Sequence, residues 1–175
     1  QHGALNAERW LYSLLNGLPC EENPLIASTI CSYIGRPLAE TKNAEAERAI
    51  LAIAKEHKVK SCRQQLLRTL ISVANDSIVR NELYTIWKEG SHPLLGENDY
   101  MNLAYEHAIR NAELQKEIIE TQKSRIGNPD RKRQFEFIAR ATTPDTAEQQ
   151  KLFRSLLKAE NRRIEPWAIK TLAYL

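Results

Sequence analysis

Leu11, Leu14, Leu15 and Leu18 recur at helical spacing beside Trp10, which predicts a first helix over about Ala4 to Leu18. A second is predicted from Pro24 to about Ile34, with Ile26, Thr29, Ile30 and Tyr33 turned inward and Gly35 and Pro37 closing it. A third spans Ala44 to His57. There Ala46, Ala49, Ile50, Ile53 and Ala54 form the inner face, and Glu45, Glu47, Arg48 and Lys55 the exposed one. Ser61 and Gln64 have the spacing of a capping box ahead of Leu66, Leu67, Leu70, Ile71 and Ala74. After a break at Asn75-Asp76, a fifth helix carries Ile78, Val79, Leu83, Ile86 and Trp87.

The segment 89–98 holds Gly90, Pro93 and Gly96 and is the longest loop and the best internal boundary. Beyond it the period resumes in the stretches of Tyr100 to Ala108, Leu114 to Ile126 and Phe135 to Ala141. Two closing helices are marked by Leu152, Phe153, Leu156 and Leu157, then by Trp167, Leu172 and Leu175. Asn23-Pro24, Asn128-Pro129, Thr143-Pro144 and Glu165-Pro166 read as helix starts. An Asn side chain accepts an otherwise unpartnered backbone N–H, and proline supplies a preset φ without wasting a donor.

About ten short helices with brief connections and no convincing strand predict an all-α fold. The expected form is an αα superhelix, a right-handed armadillo- or HEAT-like solenoid of antiparallel helices filling residues 1–175 as one domain. No fixed-period sequence repeat accompanies it, so the repetition is architectural, and an irregular bundle is the competing arrangement.

Composition narrows the function more than the fold. Hydrophobic residues at 42% and charged residues at 27% are ordinary globular usage. Six glycines are few for a catalytic α/β domain, and a net charge of +3 with acidic residues interspersed gives no footprint for nucleic acid. No apolar run is long enough to span a bilayer, and no basic-then-apolar secretion signal opens the chain, so it reads as soluble. Gln1 at one end and an apolar helical pattern at the other read as excision from a longer polypeptide. Cys20, Cys31 and Cys62 form no CxxC pair and read as buried or partly buried free thiols.

Catalytic signatures are missing. The chain has no H-E-x-x-H, P-loop, G-x-G-x-x-G or G-x-S-x-G, and no histidine pair at i, i+4 spacing to ligate zinc. His107, on an apolar stripe, reads as a core histidine. The feature with binding chemistry is the basic run of Lys123, Arg125, Arg131, Lys132, Arg133 and Arg140, with Arg162 and Arg163 further on. Arg131 falls in a first helical turn, where a cation opposes the helix dipole and gains nothing locally. Two readings follow: ion pairs within the chain, or guanidinium groups of Arg131, Arg133 and Arg140 that clamp a peptide carboxylate.

Four segments carry a family resemblance: Leu83-Tyr84-x-x-Trp87, Asp99-Tyr100-x-x-Leu103-Ala104, Asn128-Pro129-Asp130-Arg131-x-x-x-Phe135-x-Phe137, and Asn161-Arg162-Arg163-x-Glu165-Pro166-Trp167. Their order and spacing resemble the C-terminal helical domain of aminopeptidase N-type zinc metallopeptidases, bacterial members in particular. Residues 1 to 82 resemble it mainly as helices of suitable size. The resemblance implies a noncatalytic superhelical domain that walls off the substrate cavity, with the catalytic domain of the same polypeptide and peptide substrate as its partners. It implies zinc in that catalytic domain and no cofactor in this chain. A helical-repeat adaptor for another protein is the alternative, and a nucleic-acid binder the weakest of the three.

Overall fold

A computed structural model describes residues 6–175. Among them ten α-helices and three short 3-10 turns make up the regular structure, with no strand, so the fold is all-α. The helical expectation at Ala4 and Leu5 lies outside the described residues.

The chain divides into two compact units, one ending at Asp99 and the other running from Tyr100 to Leu175. The first holds α1 (Ala7–Gly17), α2 (Pro24–Thr41), α3 (Ala44–Glu56), α4 (Lys60–Val73) and α5 (Ser77–Glu89). The division falls in the first turn of α6 (Glu97–Arg110), just past the segment 89–98. The second unit continues with α7 (Gln115–Arg125), α8 (Pro129–Ala139), α9 (Thr146–Leu156) and α10 (Glu165–Tyr174).

Capping side chains set most helix starts. Asn6, Asn23, Asn43, Asp76, Asn128 and Asp145 each accept backbone N–H groups of the first turn. Asn23 and Asn128 do so ahead of proline, as the sequence predicts. Thr143-Pro144 does not start a helix. Thr143 Oγ1 accepts the Asp145 N–H in a preceding turn, and Asp145, the stronger cap, opens α9 two residues later. Nor does Ser61 head a capping box, because α4 already begins at Lys60 and the Val59 N–H is taken by His57 Nδ1 at 3.0 Å. At the other end of α5, Gly90 adopts φ 70° and donates its N–H to Ile86 O, the left-handed stop that glycine takes without steric cost.

The second helix departs most from expectation. It runs through Gly35 and Pro37 to Thr41, where Lys42 at φ 47° ends it. Pro37 withholds an N–H from the Tyr33 carbonyl, on a turn that solvent reaches, since the Tyr33 side chain is 58% exposed. Pro37 and Leu38 are themselves buried, and their burial holds the last turn in place. The inner face is also rotated from the predicted one. Ala27, Cys31, Ile34 and Leu38 are buried, whereas Ile26 and Tyr33 are exposed. Both stripes have helical spacing. The one that wins carries the small residues Ala27 and Cys31, which permit close approach of α4.

In the first unit α1 packs against α2 and α3 against α4, two helical hairpins. The hairpins stack like upon like, α1 on α3 and α2 on α4, and α5 extends the row of α1 and α3. Side-chain bonds span these seams. Arg68 grips Asp99 through two bonds of 2.8 and 3.0 Å, and Asp99 also accepts the Gly96 N–H, so the turn before α6 is tied to α4. Glu47 is the clearest correction in α3. Predicted on the exposed face, it is fully buried, and its carboxylate accepts the N–H groups of Asn75 and Asp76 across the gap to the α4–α5 turn.

The second unit is built on Phe135 and Tyr105, both fully buried and stacked at 5.0 Å between ring centroids. Tyr174 of α10 leans on Tyr105, and Phe137 meets Trp167 at 5.9 Å. A smaller cluster of Ala141, Leu152 and Leu156 lies under Phe137, Tyr174 and Leu175.

Candidate functional site

Two of the three basic residues singled out by sequence, Arg131 and Arg133, lie on α8. Asn128 caps this helix by accepting the N–H groups of Asp130 and Arg131 at 2.9 and 3.1 Å. The Arg133 guanidinium pairs with Asp130 of the same turn. Two residues apart on a helix, Arg131 and Arg133 project about 200° from one another. Arg140 begins the 3-10 turn that follows α8. All three side chains are exposed. Nearby, Glu136 of α8 binds Lys123 of α7 at 2.6 Å, and the pairing raises the Lys123 pKa above its ordinary value. Part of the basic run is therefore already neutralised by local carboxylates.

Two grooves were not foreseen. In the first unit Trp10 of α1 and Tyr33, Arg36, Pro37 and Glu40 of α2 border a depression of about 600 Å³. Its wall joins two half-exposed aromatic rings to an Arg36–Glu40 ion pair of 2.9 Å. Aromatic rings beside paired charges suit an extended peptide, which offers apolar side chains and a polar backbone together. Trp10 is 37% exposed, and Tyr33 borders the same depression. In the second unit Gln149, Phe153 and Arg154 of α9 face Leu172 and Leu175 across about 510 Å³.

The histidines among the described residues serve the fold. His57 is buried, with Nε2 2.9 Å from the Leu18 carbonyl and Nδ1 accepting the Val59 N–H, so the hydrogen bonds assign it the neutral Nε2–H tautomer. His107 is buried, as its apolar stripe predicts. His92 sits in the α5–α6 loop and accepts the Leu94 N–H at Nδ1. Burial, and then the Arg63 guanidinium, depress its pKa. The sign follows directly. The folded chain binds this proton less readily than the unfolded chain, so the contribution to stability is complete above the ordinary histidine value of about 6.5 and is lost as pH falls through the folded value. Urea midpoints of the chain are expected to fall between pH 7.5 and 5.5, and His92→Gln should flatten that slope. An unchanged slope in the variant would rule His92 out as its source.

Lys170 of α10 lies 5.2 Å above the Tyr105 ring and its Nζ bonds Asn102 Oδ1. Burial lowers its pKa, and burial raises that of Tyr105 beneath it. The pair fastens α10 to α6. Among the described residues no three His, Cys, Asp or Glu side chains gather to hold a metal ion, and no helix is long and apolar enough to cross a membrane. Sulfur chemistry is the remaining feature. Cys20 is exposed, against expectation, because it ends the 3-10 turn after α1, while Cys31 and Cys62 are buried with their sulfurs 3.0 Å apart. Nothing in their spacing along the chain signals that contact.

Comparison of the chain with family models, with curated proteins and with solved structures returns no match.

Proposed function

We propose that this chain is the noncatalytic helical domain of an aminopeptidase N-type zinc metallopeptidase, serving to enclose the substrate cavity and limit which peptides reach it. One observation carries the reading. Residues of three of the four segments are packed in the fold: Tyr100, Leu103 and Ala104 are buried on α6, Phe135 stacks on the adjoining Tyr105, and Phe137 packs on Trp167. Phe135 and Phe137 of these segments thus tie α8 to α6 and to α10. The stacked hairpins of the first unit suit the same role, since such stacking builds extended walls. Enclosure has a chemical purpose, because excluding water strengthens electrostatic interactions around a metal-bound substrate. Zinc and the catalytic glutamate would belong to the catalytic domain, which is this chain's partner in the proposal. Arg131, Arg133 and Arg140 would meet a peptide carboxylate one at a time rather than as a joint clamp.

Sequencing the reading frame upstream of the Gln1 codon tests this. An H-E-x-x-H followed by a distant glutamate ligand is expected there, and the isolated chain should hydrolyse no aminoacyl reporter. A stop codon immediately upstream would overturn the proposal. The aromatic groove of Trp10 and Tyr33 would then favour the second reading, a helical adaptor that binds peptide on another protein.

A further inference from the structure

Cys31 of α2 and Cys62 of α4 bring their sulfurs to 3.0 Å at 1% and 0% exposure. The contact lies on a seam fixed from several directions. Ala27 is fully buried on the same face of α2, Ser28 Oγ donates to Gln65 Oε1 at 3.0 Å, and a Cβ at Gly35 would stand 3.6 Å from Thr69 Cγ2. The sulfurs therefore meet because two packed helices hold them, and no flexible loop has to close. Cys31 Sγ also lies 4.0 Å from the Cys62 carbonyl, and either sulfur can donate to the other. The bond between the two sulfurs, and then burial, push the Cys31 thiol up, while the same bond lowers Cys62. Cys62 is the sulfur that ionises first.

We infer that Cys31 and Cys62 form a redox modification site that closes to an intramolecular disulfide between α2 and α4 when the chain meets hydrogen peroxide. The Cys62 thiolate attacks one peroxide oxygen, the O–O bond breaks, and the departing hydroxide takes a proton to become water. Cys62 is then a sulfenic acid. The Cys31 sulfur attacks the Cys62 sulfur, the S–S bond forms as the S–O bond breaks, and the second hydroxide leaves as water with the Cys31 proton. Two thiols lose two electrons and one peroxide becomes two waters. Peroxide is little larger than water, so it needs only a local opening of the seam. The neighbouring sulfur intercepts the sulfenic acid before a second oxygen adds, since the partner is held in contact.

The test uses the full chain carrying Cys20→Ser, which removes the exposed thiol. Treatment with hydrogen peroxide under native conditions is expected to remove both remaining thiols together and to lower the intact mass by two hydrogen atoms. Peptide mapping should join the peptides of Cys31 and Cys62, and the thermal midpoint should rise by about 10 °C, because the bond constrains a loop of some thirty residues in the unfolded chain. Adding Cys31→Ala should abolish the cross-link and leave Cys62 to gain oxygen. If that variant fails to fold, the Cys20→Ser protein still decides the matter through its mass and peptide map. Retention of both thiols in folded protein, covalent dimers, or oxygen addition in place of hydrogen loss would each overturn the assignment.

Discussion

Replacing Glu47 by alanine is expected to destabilise the first unit by about 3 kcal/mol, equivalent to a fall in thermal midpoint of about 10 °C. The Glu47 side chain is fully buried, and one of its oxygens accepts both the Asn75 and the Asp76 N–H, at 2.8 and 2.7 Å, while the other lies 3.0 Å from the Asn75 N–H. Those donors belong to the turn that launches α5. Asp76, next along, caps α5 and receives Arg48 at 2.7 Å, so the turn is held from α3 by two residues in succession. Truncation strips the turn of its acceptor and leaves a polar-lined gap at the seam. Losses of this kind exceed the worth of an average hydrogen bond, because donors already removed from water are left without a partner. Glu45→Ala is the control. It lies in the same first turn of α3 but is exposed, and should cost less than about 1 kcal/mol. Equal midpoints for the two variants would show that the buried carboxylate does not fasten α5. Glu47→Gln should fall between them, since an amide keeps one acceptor oxygen but turns an NH2 toward the same donors.

Glu47 also marks where the sequence stops being legible. Its i±4 neighbours mix apolar and polar residues, and a glutamate between Ala46 and Arg48 reads as solvated unless the turn it serves, 28 residues away, is already known. The same holds for Cys31 and Cys62, whose contact depends on which of two overlapping stripes of α2 faces inward. Periodicity pointed to Ile26, Thr29, Ile30 and Tyr33, although Ala27, Cys31, Ile34 and Leu38 have helical spacing too. The choice came from the small residues that let α4 approach, a property of the pair of helices rather than of either segment. Local signals fared better: Asn23 and Asn128 act on their own helices within three residues, so those two starts and the all-α class could be read directly. Pro37 misled for the opposite reason. Its local cost is real, but burial of Pro37 and Leu38 outweighs it. The grooves were illegible because each is bordered by side chains that only the packing of two helices brings together.

Phe135→Ala is expected to be the most damaging single truncation in the second unit, at about 4 kcal/mol. The ring is fully buried and stacked on Tyr105, whose hydroxyl donates to the Phe135 carbonyl at 3.3 Å. Tyr105 in turn supports Tyr174 and lies beneath Lys170, so the Phe135 ring is the floor of a column that reaches from α8 through α6 to α10. Removing it opens a cavity beside a tyrosine whose hydroxyl stays tethered to the residue 135 carbonyl, which limits how far the ring can move to fill it. The cost then includes the lost transfer energy of the ring and the contacts that the cavity walls forfeit. Hydrogen-exchange protection should fall across α6, α8 and α10, the three helices that the column joins. Phe153, 49% exposed on α9, supplies the comparison, and its truncation should cost less than about 1 kcal/mol. If Phe135→Ala unfolds no earlier than Phe153→Ala in urea, the aromatic column is not what holds these helices. The segment Asn128 to Phe137 would then lack the packing role argued for it, and the proposed enclosing domain would lose the observation on which it stands.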